Sequence, residues 1–276
     1  MTSAVAGNPC VVAVAVAAAR LTLVFKPVFS APPLSWREWW GAVREFAAGW
    51  YGIAAGEVTG YHPMADALGQ ELGVSLSPSL HEWRAFTDHL NQAGLLGKAL
   101  RDRSLLCWDS GTESVLLMQD VEGTVRWAVR PEHLADQDPP VQMWFDREPG
   151  ASPWHRWTPT ASQFALQHLI AYLRPAGGGW LLINDIPRSD ELIERLKSTG
   201  RSSIDLDGQL LIEDDDLIVM AGKSLWSDQG ASGIDVEVKI GPSRAGSIPA
   251  PLADLARYPG WAGSNGAFLE LRSNHS

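Results

Sequence analysis

Between Ser114 and Phe145 apolar positions recur with a period close to two, which predicts strands. Ser114-Val-Leu-Leu-Met118 is an apolar run of strand length. Gln119 to Gly123 supplies turn residues, and Thr124-Val-Arg-Trp-Ala-Val129 alternates β-formers, so the two runs form a hairpin. Arg130-Pro131 breaks the second strand and Glu132 to Gln137 is a polar connection. Asp138-Pro139-Pro140 then leads into a third strand, Val141 to Phe145, with the proline pair just ahead of it because proline donates no N–H. Leu105 to Trp108 precedes the hairpin as a further strand. Trp108, Trp127 and Trp144 are thereby expected on successive strands.

On either side the period changes to that of a helix. Ser35 followed by Glu38 forms a capping box opening a helix through Ala48, with Trp36, Trp39, Trp40, Val43 and Phe46 at helical spacing. Such a stripe is expected to pack inward rather than to face a partner. Gly49 to Gly60 reads as a loose boundary, and Met64 to Leu72 as a short helix stopped by Gly73. Either the Ser77-Pro78 step or Ser79 with Glu82 starts a helix with Leu80, Trp83, Phe86 and Leu90 buried, ending near Gly94. Asp146 to Trp157 reads as a loop holding two large rings, Trp154 and Trp157. Thr158-Pro159 and the pair Thr160 with Gln163 both mark the next helix start, followed by Phe164, Leu166, Leu169, Ile170 and Leu173 on its apolar side.

Gly177-Gly-Gly179 is the best linker candidate. Beyond it, Trp180 to Ile183 predicts a strand, Ser189 to Ser198 a short helix before Gly200, and Gln209 to Ile212 a strand. Glu213 to Asp216 is expected as a solvated turn into the strand Leu217 to Ala221. Ile234 to Ile240 alternates as a half-exposed strand, and Pro251 to Arg257 and Phe268 to Leu271 close the chain as helix and strand. Val11 to Phe25 predicts one strand or two short ones. Its apolar part, Val11 to Ala19, lacks a preceding cation and is too short for a membrane span, so a buried strand or an over-extended reading frame is preferred to export.

The chain has 276 residues, 45% of them hydrophobic, enough for a sizeable core, and a net charge of -10. Residues 1–61 hold four basic and three acidic side chains, 62–176 nine and fourteen, and 177–276 nine and fifteen. The acidic excess disfavours direct nucleic-acid binding, which needs a phosphate-neutralising face, and suits a basic protein partner. Cys10 and Cys107, the two cysteines, are expected as free thiols, and cytoplasmic residence follows.

Searches for chemistry yield no set of reacting groups. Gly222-Lys223-Ser224 resembles the end of a phosphate-binding loop, but Leu217 stands where that motif requires glycine. His81-Glu82 is followed by Ala85 where a zinc-protease helix needs histidine, and no nucleophile elbow exists. Cys107 lies in an apolar strand, where a thiol is usually inert. The acidic run Glu213 to Asp216, with Asp205 and Asp207, lacks the spacing of a calcium loop, and His81 and His89 stand about 12 Å apart along a helix. The expectation is a protein without catalytic residues, metal or cofactor.

Five pieces resemble the SUKH superfamily of bacterial immunity proteins and fungal cell-wall-synthesis regulators: Leu76-Ser-Pro-Ser-Leu80 with Trp83, the strand ending in Gln119, the strand bearing Trp127, Asp138-Pro139-Pro140-Val141, and the helix around Phe164. They span about Met64 to Arg174 in the family's order. The turn Asp120-Val-Glu-Gly123 departs from the Asn-Gln-Gly type common there. The resemblance implies an α+β fold, a mixed or antiparallel sheet packed by helices, in a SUKH-like domain over 61–176; the flanks match nothing in that family, and the pattern alone reads them as a strand-helix extension over 1–60 and an α+β segment over 177–276. It implies a non-enzymatic immunity protein that binds a basic toxin domain, such as a nuclease. The alternatives are a regulator or scaffold with a non-toxin partner, and a hydrolase with a scattered site. Expected contact residues are Glu122, Glu132, Asp136 and Asp138, presented from one end of the sheet, with Trp154 and Trp157 beside them. No membrane contact is expected, and the oligomeric state is open.

Overall fold

The computed structural model describes residues 29, 33, 35–96, 104–120, 122–145, 153–172, 179–206, 209–223, 233–241, 252, 255, 260–264 and 267–271. Expectations for Cys10, for residues 11–25, for Gly177 and Gly178, and for most of 251–257 fall outside them. Among these residues the protein is α+β, with five α-helices and two antiparallel sheets.

Three helices open the fold. Helix α1 (Trp36–Tyr51) begins at the anticipated capping box, in which the Ser35 hydroxyl accepts from the Glu38 N–H and the Glu38 carboxylate accepts from the Ser35 N–H. Trp39, Trp40, Val43 and Phe46 are buried and Trp36 packs partly against the same core, so the tryptophan stripe is interior. Helix α2 (Pro63–Leu72) is capped by His62, whose ring nitrogen accepts from the Met64 N–H, and ends at Gly73 in the left-handed region, where a Cβ would be strained. Helix α3 (Pro78–Gln92) starts at Ser77 and buries Leu80, Trp83, Phe86 and Leu90 as its spacing predicts. The segment read as a loose boundary is irregular but tied down. Buried Glu82 accepts from Arg44 at 2.7 Å, from the Gly60 N–H at 2.6 Å and from the Thr59 hydroxyl at 3.2 Å, while Arg44 also donates to the Ala55 carbonyl.

The first sheet is a five-stranded meander in sequence order: β1 (Ser104–Asp109), β2 (Ser114–Gln119), β3 (Val125–Val129), β4 (Val141–Phe145) and β5 (Trp154–Thr158). Strand β5 replaces part of the expected loop: Trp154 and Arg156 pair with Trp144 and Gln142 of β4, and beyond a register shift Thr158 pairs with Val141. Trp108, Trp127 and Trp144 lie on β1, β3 and β4, so β2 separates the first two. Helix α4 (Ala161–Tyr172), N-capped by the Thr160 hydroxyl on the Gln163 N–H, packs with α1 and α3 against the sheet. Trp83 meets Phe164 at 5.3 Å between ring centres and donates its indole N–H to the Leu105 carbonyl at 2.8 Å, joining α3, α4 and β1.

The second sheet has seven strands in the order β12-β11-β6-β10-β9-β8-β7. These are β6 (Gly179–Pro187), β7 (Ser202–Asp205), β8 (Leu210–Asp214), β9 (Leu217–Lys223), β10 (Gly233–Ile240), β11 (Gly260–Ser264) and β12 (Ala267–Leu271), with α5 (Asp190–Lys197) after β6. Two of them, β7 and β11, were not legible in the apolar pattern: β7 is Ser-Ser-Ile-Asp and β11 is Gly-Trp-Ala-Gly-Ser, too polar or too small to signal a strand. One face of this sheet, with Ile212, Leu217, Val219, Val236 and Val238, forms a core with Leu192 and Leu196 of α5. Leu211 and Ile218 on the other face join the core of the first sheet and its helices.

That second contact corrects two expectations. Strand β10 is buried on both faces rather than half-exposed: Glu237 and Lys239, which alternate with its valines, are 8% and 2% exposed and pair at 2.7 Å. The alternation was read correctly but its polar face is covered by α4, whose Ala171 carbonyl accepts from Lys239 at 3.5 Å. Likewise, Glu213 and Asp214 are buried at the end of β8 instead of forming a solvated turn, and the Glu213 carboxylate accepts from the Phe29 N–H. The turn is confined to Asp215 and Asp216, the latter at φ 54°.

Candidate functional site

Residues directly opposite each other in a sheet share a face, and the registers of the first sheet define two rows that point away from the helices. Gln119, Arg126, Trp144 and Trp154 form one row across β2 to β5. Cys107, Leu116, Ala128, Gln142 and Arg156 form the other across β1 to β5. The opposite face, with Val115, Leu117, Trp127, Val129, Val141 and Met143, is buried in the core. Apart from Leu116 and Ala128, every member of the outward rows is half-buried or exposed.

Arginine and tryptophan organise this outward face. The Arg126 guanidinium lies 5.0 Å from the centre of the Trp144 ring and donates to Asp109 at 2.8 Å, so its side chain crosses β2 to reach β1. Arg130 lies 5.9 Å from the centre of the Trp154 ring and pairs with Glu132 at 3.1 Å. Trp144 and Trp154 are cross-strand partners, so the two cation–π pairs adjoin. Asp109 is held in place by the Thr112 hydroxyl at 2.7 Å and the Gly111 N–H at 3.2 Å. Partial burial works against its charge, but those donors and Arg126 hold its carboxyl below the usual value, so it stays ionised.

The anticipated contact residues are dispersed relative to this face. Glu122 is exposed in the β2–β3 turn, at the start of β3. Glu132 and Asp136 are exposed in the β3–β4 connection, past the other end of β3. The expectation that one end of the sheet presents all of them is therefore overturned by the direction of β3. Glu132 pairs with Arg130, and Asp136 with His133 at 2.8 Å. Asp138 is half-buried and accepts from both the N–H, at 3.1 Å, and the hydroxyl of Ser162, which anchors the first turn of α4. Burial pushes its carboxyl up, against the pull of the Ser162 and Ser79 bonds. Trp154 and Trp157 share β5 but not a face: Trp157 turns inward, edge-on to Trp127 at 6.4 Å.

Sequence reasoning missed Arg126, Arg130, Trp144 and Arg156. The signal was present in the period-two pattern, since Arg126 and Ala128 alternate with Trp127 and Val129, and Gln142 and Trp144 with Val141 and Met143. Cys107 is exposed on the edge strand β1 rather than enclosed in an apolar strand, and partial desolvation of its thiol, with the nearby Asp109 charge, raises its pKa, which keeps it protonated. Among the described residues no three His, Cys, Asp or Glu side chains stand where they could hold a metal ion, and no helix is long and apolar enough to cross a membrane. Comparison of the chain with protein-family models, with curated proteins and with solved structures found no match.

Proposed function

We propose that this chain is a non-enzymatic protein-binding protein whose contact surface is the outward face of the five-stranded sheet. The observation that carries the reading is the adjoining pair Arg126/Trp144 and Arg130/Trp154. Large planar side chains held by stacked guanidinium groups lose little freedom on binding, and tryptophan and arginine dominate interface energetics. Asp109 and Glu132 fix the two guanidinium groups, so the face is largely preorganised. Arg156 extends it toward the edge strand β5.

The finer reading is an immunity protein that neutralises a toxin domain, and its support is the SUKH resemblance together with the net charge of -10, which steers a basic partner toward the chain. Exposed Glu132, paired with Arg130, lies at the margin of the outward face, where such a partner would first be met; Asp136 lies farther along the connection, whose Leu134 and Gln137 carbonyls accept from the start of α3. Regulation or scaffolding of a non-toxin partner remains the second reading, because the same face serves it equally.

The test is capture from the native cell extract with wild type, Trp144→Ala/Trp154→Ala and Glu122→Lys, followed by titration of the purified partner. The double variant, folded by circular dichroism, is expected to lose about 2 kcal/mol or more of affinity, roughly thirtyfold, and Glu122→Lys to bind as wild type. A folded double variant with undiminished affinity overturns the assigned face. Co-expression then separates the finer readings: rescue of growth from a toxic partner supports immunity, and a non-toxic partner supports regulation.

A further inference from the structure

A second site lies on the other sheet. Between α5 and the face of β7 to β10 that carries the second core is a cleft of about 230 Å³ lined by Arg188, Ile193, Lys197, Ser203, Asp205, Leu210, Ala221 and Ile234. Its floor is apolar and buried: Leu210 and Ala221 are direct cross-strand partners, and Ile234 stands on the neighbouring strand β10. Ala221 is the smallest of the floor side chains. Ile193 of α5 forms the wall, while the charged groups occupy the rim.

The rim is not neutralised evenly. Lys197 is engaged by Glu194 at 2.8 Å, and the nearby Arg201 by Asp214 at 3.1 Å. Arg188, in the short connection from β6 to α5, is exposed and has no hydrogen bond or ion pair among the described residues. In a chain of net charge -10 an arginine without a direct ion-pair partner among the described residues, at the mouth of an apolar cleft, can receive a carboxylate, since its planar fork matches a carboxylate in two parallel bonds.

We propose that this cleft binds a small amphipathic carboxylate, with its head group on Arg188 and its apolar chain over Leu210, Ala221 and Ile234. The volume sets the size at about ten non-hydrogen atoms, taking about 20 Å³ per atom at the packing density of a protein interior. The rim sets the charge. With Lys197 already shared, Arg188 is the rim's one unshared cation among the described residues, which suits a single negative charge, and the Asp205 carboxylate on the same rim opposes a dianion such as a phosphate monoester.

Octanoate is the probe, with octanamide as the neutral isostere and octyl phosphate as the dianion, titrated into the full chain by calorimetry and followed by saturation-transfer NMR. For a ligand of this size a dissociation constant on the order of 1 mM is expected for octanoate. Octanamide and octyl phosphate are expected to bind at least about tenfold more weakly. Arg188→Gln, an exposed substitution that leaves the core untouched, is expected to weaken octanoate about tenfold without changing octanamide. Ala221→Val fills the floor and is expected to abolish binding of both; should it fail to fold, Arg188→Gln alone decides. No octanoate binding at tenfold the expected constant, equal affinity for Arg188→Gln, or tighter binding of octyl phosphate would each overturn the proposal.

Discussion

His168 gives the sharpest test of how this core is assembled. The imidazole is 2% exposed on α4, edge-on to Trp83 at 5.4 Å and tilted against Phe164 at 6.3 Å, and burial lowers its pKa from 6.5 to about 4. An unfolded chain takes up a proton on this ring near pH 6.5, whereas the folded chain does so only near pH 4. Between those values the unfolded state binds more protons, so stability is fully present above pH 6.5 and is lost as pH falls toward 4. At 1.36 kcal/mol per pH unit, the fall from 6.5 to about 4 makes that loss about 3 kcal/mol. Urea unfolding of wild type and His168→Leu at intervals from pH 7.5 to 4.0 isolates it, because the other titrating groups are common to both chains. The leucine variant is expected to be less pH-dependent by about 3 kcal/mol over that window. Curves that stay parallel from pH 6.5 to 4.5 would show that the ring protonates in the folded state as readily as in the unfolded one, and the closed contact of α3, α4 and the sheet would be refuted.

Two other substitutions probe the same core. Glu82→Ala leaves Arg44 buried without its carboxylate and frees the Gly60 N–H, so it is expected to cost about 3 to 5 kcal/mol in urea unfolding, while Glu82→Ala with Arg44→Met recovers part of that loss. Trp127→Ala is expected to cost about 3 to 5 kcal/mol, and Trp127→Phe considerably less, because the buried indole N–H has no acceptor among the described residues and nothing is lost with it; equal costs would place the N–H in a bond.

Local chemistry explains what the chain announced about its fold. Capping residues name helix starts because they satisfy N–H groups that the helix itself leaves open, and Ser35, Ser77, Thr160 and Ser189 all do so here. Apolar strands were legible for the same reason, each carrying its own evidence of burial. Strand β5 was hidden because its rings resemble loop insertions until β4 is placed beside it. The depth of Glu213, Glu237 and Lys239 was hidden for a deeper reason: a charge is expected in water unless a partner is known, and those partners, Phe29, Ala171 and the Lys239–Glu237 pair itself, become visible only when the second sheet closes on the first.

The same distinction decides which residues of the candidate surface were legible. Exposed carboxylates stand out in a sequence as charge, yet charge alone does not locate a face: Asp138 is consumed by Ser162, and Glu122 and Glu132 are separated by the length of β3. An arginine between apolar residues looks like the solvated side of a strand, and Arg126 is that, while Arg130 follows the end of β3. What turns them into a candidate surface is register, which sets Arg126 opposite Trp144 and Trp144 opposite Trp154, and so places two guanidinium groups over two rings on adjacent strands. A one-residue slip of β4 would send Trp144 into the core and dismantle the face while leaving composition, charge and every helix unchanged. The surface therefore belongs to the pairing of the strands rather than to any segment of the chain.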